Sequence, residues 1–272
     1  MGGIIIFFDD MKYVRKMIEI EGVTFTYEGS LKPALSDVHL RIGEGDFLLV
    51  TGSSGSGKST LLRLLNGLIP HFYRGKMEGR VLVDGIDTRE ASVASLSKKV
   101  GLVFQNPEHM FFSESVYEEV SFGPKSLGMS KEEIEGAVRW ALEQVGLWDY
   151  RMRSPWSLSG GEKKRLSIAC VLAMKTDFLA VDEPTIGQDS LSKESLLLTF
   201  KRLREEGKGV VIVTHDLEWL DDLHPDELIL LSRGKVIERG PSDMIFSNVR
   251  DLAINGLIPP CKYILSTLVE VK

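Results

Sequence analysis

The chain predicts an α/β fold: a parallel sheet flanked by helices, preceded by an antiparallel β subdomain, interrupted by a helical subdomain and closed by a short C-terminal appendage. Three observations carry this reading. A glycine-rich stretch, GSSGSGKST from Gly52 to Thr60, follows the apolar run DFLLVT and opens the leucine-rich STLLRLLNGL, giving strand, loop and helix in that order. Two later runs, FLAVDE from Phe178 and GVVIVT from Gly209, are continuously apolar, as in strands buried on both faces of a parallel sheet. Between them and the glycine loop lies a long stretch of helical periodicity.

Residues 1 to 16 are expected to be an N-terminal extension, because the apolar Ile4 to Phe8 runs into Asp9 and Asp10 and no basic leading region makes it a signal peptide. The main domain is expected over residues 17 to 246. IEIEGVTFTY (Ile18 to Tyr27) and VHLRI (Val38 to Ile42) alternate as strands, and they make the opening β-rich. GRVLVDG (Gly79 to Gly85) and KVGLVFQ (Lys99 to Gln105) are further strands, the second stopped by Asn106-Pro107.

Residues 107 to about 170 predict the inserted helices, with FFSESVYEEVSFGPKSLG helical and Ser130 and Glu133 forming a capping box. Ser190 to Glu206 is an amphipathic helix, Glu227 to Gly240 a hairpin turning at Arg233-Gly234, and Pro241 to Phe246 a short helix. Residues 247 to 272, broken at Pro259-Pro260, are the appendage.

The loop has the pattern G-x-x-x-x-G-K-S from Gly52 to Ser59, which points backbone N–H groups at phosphate oxygens. Gly52, Gly55 and Gly57 remove Cβ atoms, while Ser53, Ser54, Ser56 and Thr60 complete the cradle. Lys58 supplies charge for the β- and γ-phosphates, and Ser59 a hydroxyl for Mg²⁺. The following helix presents its positive dipole end to the anion. A flexible Gly/Ser linker would not place Lys-Ser-Thr at a strand-to-helix junction.

LSGGE (Leu158, Ser159, Gly160, Gly161, Glu162) opens another helix and makes a second anion-receptive terminus, although a Ser-Gly-Gly turn alone is usually just a cap. Asp182 and Glu183 end a buried strand at the sheet edge where ligands bind. Asp182 suits Mg²⁺ through its waters, and Glu183 can take a proton from an attacking water. His215 ends the next strand. Tyr27 either stacks on a base or packs across its sheet. Phe111, Phe112, Tyr117 and Phe122 follow Gln105 and are either a docking surface or the core of the helical subdomain.

Composition narrows the function. With 43% apolar residues the chain can bury a core, and no run is long enough to span a membrane. Lys and Arg number 33 against 39 Asp and Glu, a net charge of −6, which argues against nucleic acid as a partner. Cys170 and Cys261 lack metal-binding or redox spacing.

With Lys58, Gln105, LSGGE, FLAVDE and His215 in this order, the chain resembles the nucleotide-binding subunits of ATP-binding cassette (ABC) transporters, a phosphate-loop NTPase cassette, over Ile18 to Phe246. The resemblance implies ATP and Mg²⁺ sandwiched in a head-to-tail dimer, with Ser159, Gly160 and Gly161 of one subunit facing the phosphate loop of the other. It implies that Tyr27 stacks on adenine, Gln105 contacts Mg²⁺ and water, His215 senses the γ-phosphate and Asp189 links the two sites. Membrane transporter subunits, scaffold and substrate-binding, are the implied partners, and the cytoplasmic face of the membrane the implied location.

A narrower likeness, to ATPases of energy-coupling-factor and cobalt or nickel importers, rests on VFQNPEHMFFSESVYEEVSFGPKSLG, on EPTIGQD and on GLIPP, which is similar to that group's C-terminal dimerisation segment. Glu162 replaces the signature's usual glutamine, and Gln188 a commoner leucine. The alternatives are the ATPase of another ABC transporter class or a soluble non-transport ABC ATPase. Condensin-like relatives need a long coiled coil, for which Thr60 to Leu158 is too short.

Overall fold

The computed structural model describes residues 16–106 and 110–270, so the extension assigned to residues 1 to 16 lies outside the described residues except for Lys16. In chain order, β1 (Met17–Tyr27) and β2 (Leu35–Gly43) lead to β3 (Phe47–Thr51), the glycine loop and α1 (Lys58–Leu65). Then come α2 (Leu68–His71), β4 (Gly75–Val83), β5 (Ile86–Asp87), α3 (Val93–Leu96) and β6 (Val100–Val103). The inserted helices are α4 (Val116–Ser126), α5 (Lys131–Gln144) and α6 (Gly160–Leu172). The core resumes with β7 (Phe178–Asp182), α7 (Ser190–Glu205), β8 (Gly209–Val213), α8 (Leu217–Leu223), β9 (Glu227–Ser232) and β10 (Lys235–Gly240). The short helix α9 (Ser242–Ser247) follows β10, and the appendage holds α10 (Val249–Ile254) and α11 (Cys261–Glu270).

Two sheets result. The antiparallel one has the order β2-β1-β4-β5, and the larger one β10-β9-β3-β8-β7-β6, parallel apart from β10. Strand side chains alternate between faces, and the core divides accordingly. Leu48 and Val50 of β3 pack with the antiparallel sheet and α1, whereas Phe47 and Leu49 pack with the inserted helices and α7. Every residue of β3, β6, β7 and β8 is buried, so the apolar runs of the sequence are central strands. Their parallel register brings Thr51, Val103, Asp182 and Val213 to one edge of the sheet.

Several expectations need correction in their boundaries. β4 starts at Gly75 rather than Gly79, because Gly79 is not a strand end: at φ 75° it lies where β4 crosses β1, and a Cβ there would meet the Gly22 carbonyl oxygen at 2.4 Å. Helix α4 begins only at Val116, where the Ser115 side chain accepts from the Glu118 N–H; the segment before it is tied instead by Glu119, whose Oε2 accepts from Phe112 and Ser113 N–H. Helix α8, capped by Asp216, has too short an apolar pattern to be read from sequence.

Candidate active site

The glycine loop leaves β3 and returns into α1 beneath a cleft of about 490 Å³ lined by Tyr27, Ser53, Ser54, Gly55, Gly57, Lys58, Ser59, Thr60, Gln105, Glu183 and His215. Gly52 and Ser56 shape the loop from below. A Cβ on Gly52 would lie 2.1 Å from the Leu231 carbonyl oxygen, and one on Gly57 2.5 Å from that of Ala34. Ser56 is buried and accepts from the Gly234 N–H through its carbonyl at 2.9 Å, so the β9–β10 hairpin props the loop.

Lys58 Nζ donates to the Gly52 carbonyl at 2.7 Å and to that of Ser53 at 3.0 Å. Burial pulls its pKa below the usual lysine value, opposed by the charges of Glu183 and Asp182. Asp182 lies beneath the cleft. Burial pushes its carboxyl above the ordinary range, a hydrogen bond with Ser59 acts the other way, and Oδ1 is buried without a hydrogen-bond partner among the described residues. One hydroxyl beside one carboxylate with a free acceptor fits Mg²⁺, which keeps several waters and takes its other ligands from phosphate.

Glu183 has φ 46°, an uncommon conformation for a residue with a side chain. It is held there by its N–H, which donates to the Val213 carbonyl at 2.8 Å, and by His215, whose Nδ1 lies 2.9 Å from Oε1 and whose N–H donates to Oε2 at 3.4 Å. The carboxylate is thereby aimed at the cleft by two neighbouring strands.

Tyr27 ends β1 beside the cleft. It lines the cleft, and its hydroxyl shares a hydrogen bond with Thr60 Oγ1 at 3.0 Å and accepts one from Arg63 at 3.0 Å, while its ring meets Phe25 edge-on.

The remaining sequence-derived residues stand apart. Leu158, Ser159, Gly160, Gly161 and Glu162 do not line this cleft. Ser159 caps α6, accepting from the Glu162 N–H at 3.3 Å while Glu162 Oε2 accepts from the Ser159 N–H at 2.8 Å. Glu162 is therefore the reciprocal partner of a capping box, a position that glutamate and glutamine serve alike. Asp189 caps α7 through the Ser192 N–H at 2.7 Å, and that backbone bond holds its carboxyl below the usual range.

The matching family model, described as ABC transporter, covers residues 35–186. The chain belongs to the ABC transporter family. It is 45% identical over 247 residues to a putative ABC transporter ATP-binding protein of Pyrococcus abyssi, spanning 90% of this chain and 88% of that one. A putative ABC transporter ATP-binding protein of Pyrococcus furiosus is 50% identical over 220 residues, 81% of this chain and 82% of its own. Among solved structures, cbiO1 from Clostridium perfringens, part of the ABC transporter complex cbiONQ, matches with TM-score 0.76 and 30% identity over 88% of this chain and 95% of that one. A dimeric, post-hydrolysis state of the cassette MJ0796 bound to ADP and Pi matches with TM-score 0.72 and 31% identity, covering 83% of this chain and 98% of that one. The ABC cassette described above is thus an ATPase that uses ATP and Mg²⁺.

Two parts of the cassette's site escape sequence reasoning. Gly256 and Leu257 of the appendage line the cleft. Lys164 is almost fully buried on α6, and burial pushes its pKa down to about 8. Its spacing with Ile168 and Leu172 sets it on the apolar face, the one signal that could have marked it.

Proposed function

We propose that this cassette is the ATP-hydrolysing subunit of a membrane importer, of the energy-coupling-factor type that serves vitamins or transition-metal ions. It acts as a head-to-tail pair with a second cassette, identical or paralogous, peripheral to the cytoplasmic face of the membrane and bound to scaffold and substrate-binding membrane subunits. The observation that carries the pairing is the separation of the two anion-receptive termini: Ser159 and Gly160 are exposed at the start of α6 and do not border the cleft formed by Lys58 and Glu183. A phosphate group gripped by both needs a second chain. The likeness to cbiO1, part of cbiONQ, supports the importer class, and no helix among the described residues is long and apolar enough to cross a membrane.

In this reading the loop from Gly52 to Thr60 cradles the triphosphate and Tyr27 stacks on adenine. Mg²⁺, held through Ser59, Gln105 and Asp182, neutralises phosphate charge when bound. Glu183 orients a water and takes its proton; His215 fixes the Glu183 carboxylate and senses the γ-phosphate. Asp189, at the start of α7, links the two sites. Closure requires ATP to prefer the closed pair by about 5 kcal/mol, which contacts from both chains to each γ-phosphate would supply.

Phe112 and Phe122, exposed and edge-to-face at 4.8 Å, are the docking candidates for the membrane subunit. Phe111 is buried in the core and Tyr117 packs against it, so these two have the structural role.

Sedimentation of Glu183→Gln with MgATP tests the pairing. A nucleotide-dependent dimer is expected, and a monomer at saturating MgATP, in the presence of the natural partner subunits, would overturn it.

A further inference from the structure

Lys164 is 2% exposed, and its ammonium donates three hydrogen bonds: to the carbonyl of Phe104 at 2.9 Å, of Gln105 at 3.1 Å and of Asp182 at 3.1 Å. All three acceptors are backbone oxygens at or just beyond the carboxyl ends of β6 and β7. The stem rises from α6, one turn after the Ser159–Glu162 cap. A single side chain therefore joins the helix carrying the signature to the backbone of the two residues that flank the metal position.

An apolar side chain would fill this face of α6 without the cost of burying a charge, but it would leave three carbonyls without these donors. The ammonium matches the need, since it has three donors and each finds an oxygen. Neither β6 nor β7 reaches α6 by a hydrogen-bond ladder, so the register between α6 and these strand ends is held by packing together with the three Lys164 hydrogen bonds.

We propose that Lys164 is a positioning residue for ATP hydrolysis, pinning the signature helix to the strand ends that carry Gln105 and Asp182 so that both side chains keep their reacting register. The inference rests on the reading of Gln105 and Asp182 given above. Lys164 touches neither nucleotide nor metal; it acts through the two residues whose backbone it holds. Movement of the inserted helices is transmitted through it to the cleft.

The test compares full-length Lys164→Met, Lys164→Arg and Glu183→Gln with the unmodified chain, measuring phosphate release, MgATP affinity and hydrogen exchange at residues 104 to 106. Lys164→Met is expected to lose about tenfold to a hundredfold in kcat while MgATP affinity stays within about threefold, because misplacement harms chemistry more than phosphate binding. Exchange at 104 to 106 should quicken, and Lys164→Arg should restore most of both. An unchanged kcat in Lys164→Met, or a matched fall in kcat and affinity that arginine does not repair, overturns the proposal. If Lys164→Met does not fold, Lys164→Gln, with a single amide donor group, is read in the same way. A slow Glu183→Gln beside a normal Lys164→Met removes only the role of Lys164, whereas a fully active Glu183→Gln removes the reading of the site itself.

Discussion

Glu183 and His215 are bound to each other twice: Nδ1 of the histidine lies 2.9 Å from one carboxylate oxygen, and its backbone N–H donates to the other at 3.4 Å. The carboxylate is buried while the imidazole is about half exposed, so the pair joins a fixed base to a group open to the cleft. Glu183→Gln should retain MgATP binding and lose at least about a hundredfold in kcat, since the proton acceptor goes and the phosphate cradle stays. Single-turnover phosphate release with equilibrium nucleotide binding measures both. Hydrolysis at the unmodified rate would remove Glu183 from the chemistry.

The parts of this arrangement legible in the sequence were those with a local cause. A glycine loop between an apolar strand and a leucine-rich helix, a capping box at Ser130, a helix cap at Ser159 and a hairpin at Arg233-Gly234 all follow from neighbouring residues. What the sequence left unread depends on distant backbone. Gly79 reads as a strand end until it is seen against Gly22, and Lys164, though its spacing sets it on the apolar face of its helix, has no visible partner until its three acceptors, 18 to 60 residues away, are brought beneath it. Gly256 and Leu257 reach the cleft only because the appendage folds back, with the Cys261 N–H donating to Glu218 Oε2 at 2.9 Å.

The glycines of the phosphate loop are not equivalent. A Cβ at Gly57 would strike the Ala34 carbonyl oxygen, whereas one at Gly55 meets nothing within 4 Å, although both residues have positive φ. Gly55→Ala should therefore cost only the left-handed strain of about 1–2 kcal/mol. Gly57→Ala adds a backbone clash and should lose more stability together with nucleotide binding. Urea unfolding and MgATP titration of the two variants decide this, and equal losses would contradict it.

Ser130 and Ser159 make chemically identical capping boxes at helices with different surroundings. Ser130→Ala should cost about 1 kcal/mol of stability and leave turnover alone. Ser159→Ala should show a similar stability loss and, because its helix end faces the second cassette's phosphates in the proposed pair, a fall in MgATP-driven dimerisation. Glu162→Gln should preserve both properties, since either side chain can accept from the Ser159 N–H. Denaturation and sedimentation distinguish these outcomes; dimerisation unaffected in a folded Ser159→Ala would count against the trans contact.

The inserted helices carry the last prediction, which separates buried from exposed aromatics. Phe111 is 5% exposed within the core, while Phe112 and Phe122 are 63% and 51% exposed and pack edge-to-face on the surface. Phe111→Ala should behave as a cavity mutation and cost about 3–5 kcal/mol. Phe112→Ser with Phe122→Ser should change stability by less than about 1 kcal/mol, because surface substitutions away from packed features do little. If this pair seats a membrane subunit, the double variant should hydrolyse MgATP when isolated yet fail to co-purify with the membrane component. The pairing of normal basal hydrolysis with lost assembly is the discriminating result: loss of both would mean a damaged fold, and retention of both would move the docking surface elsewhere.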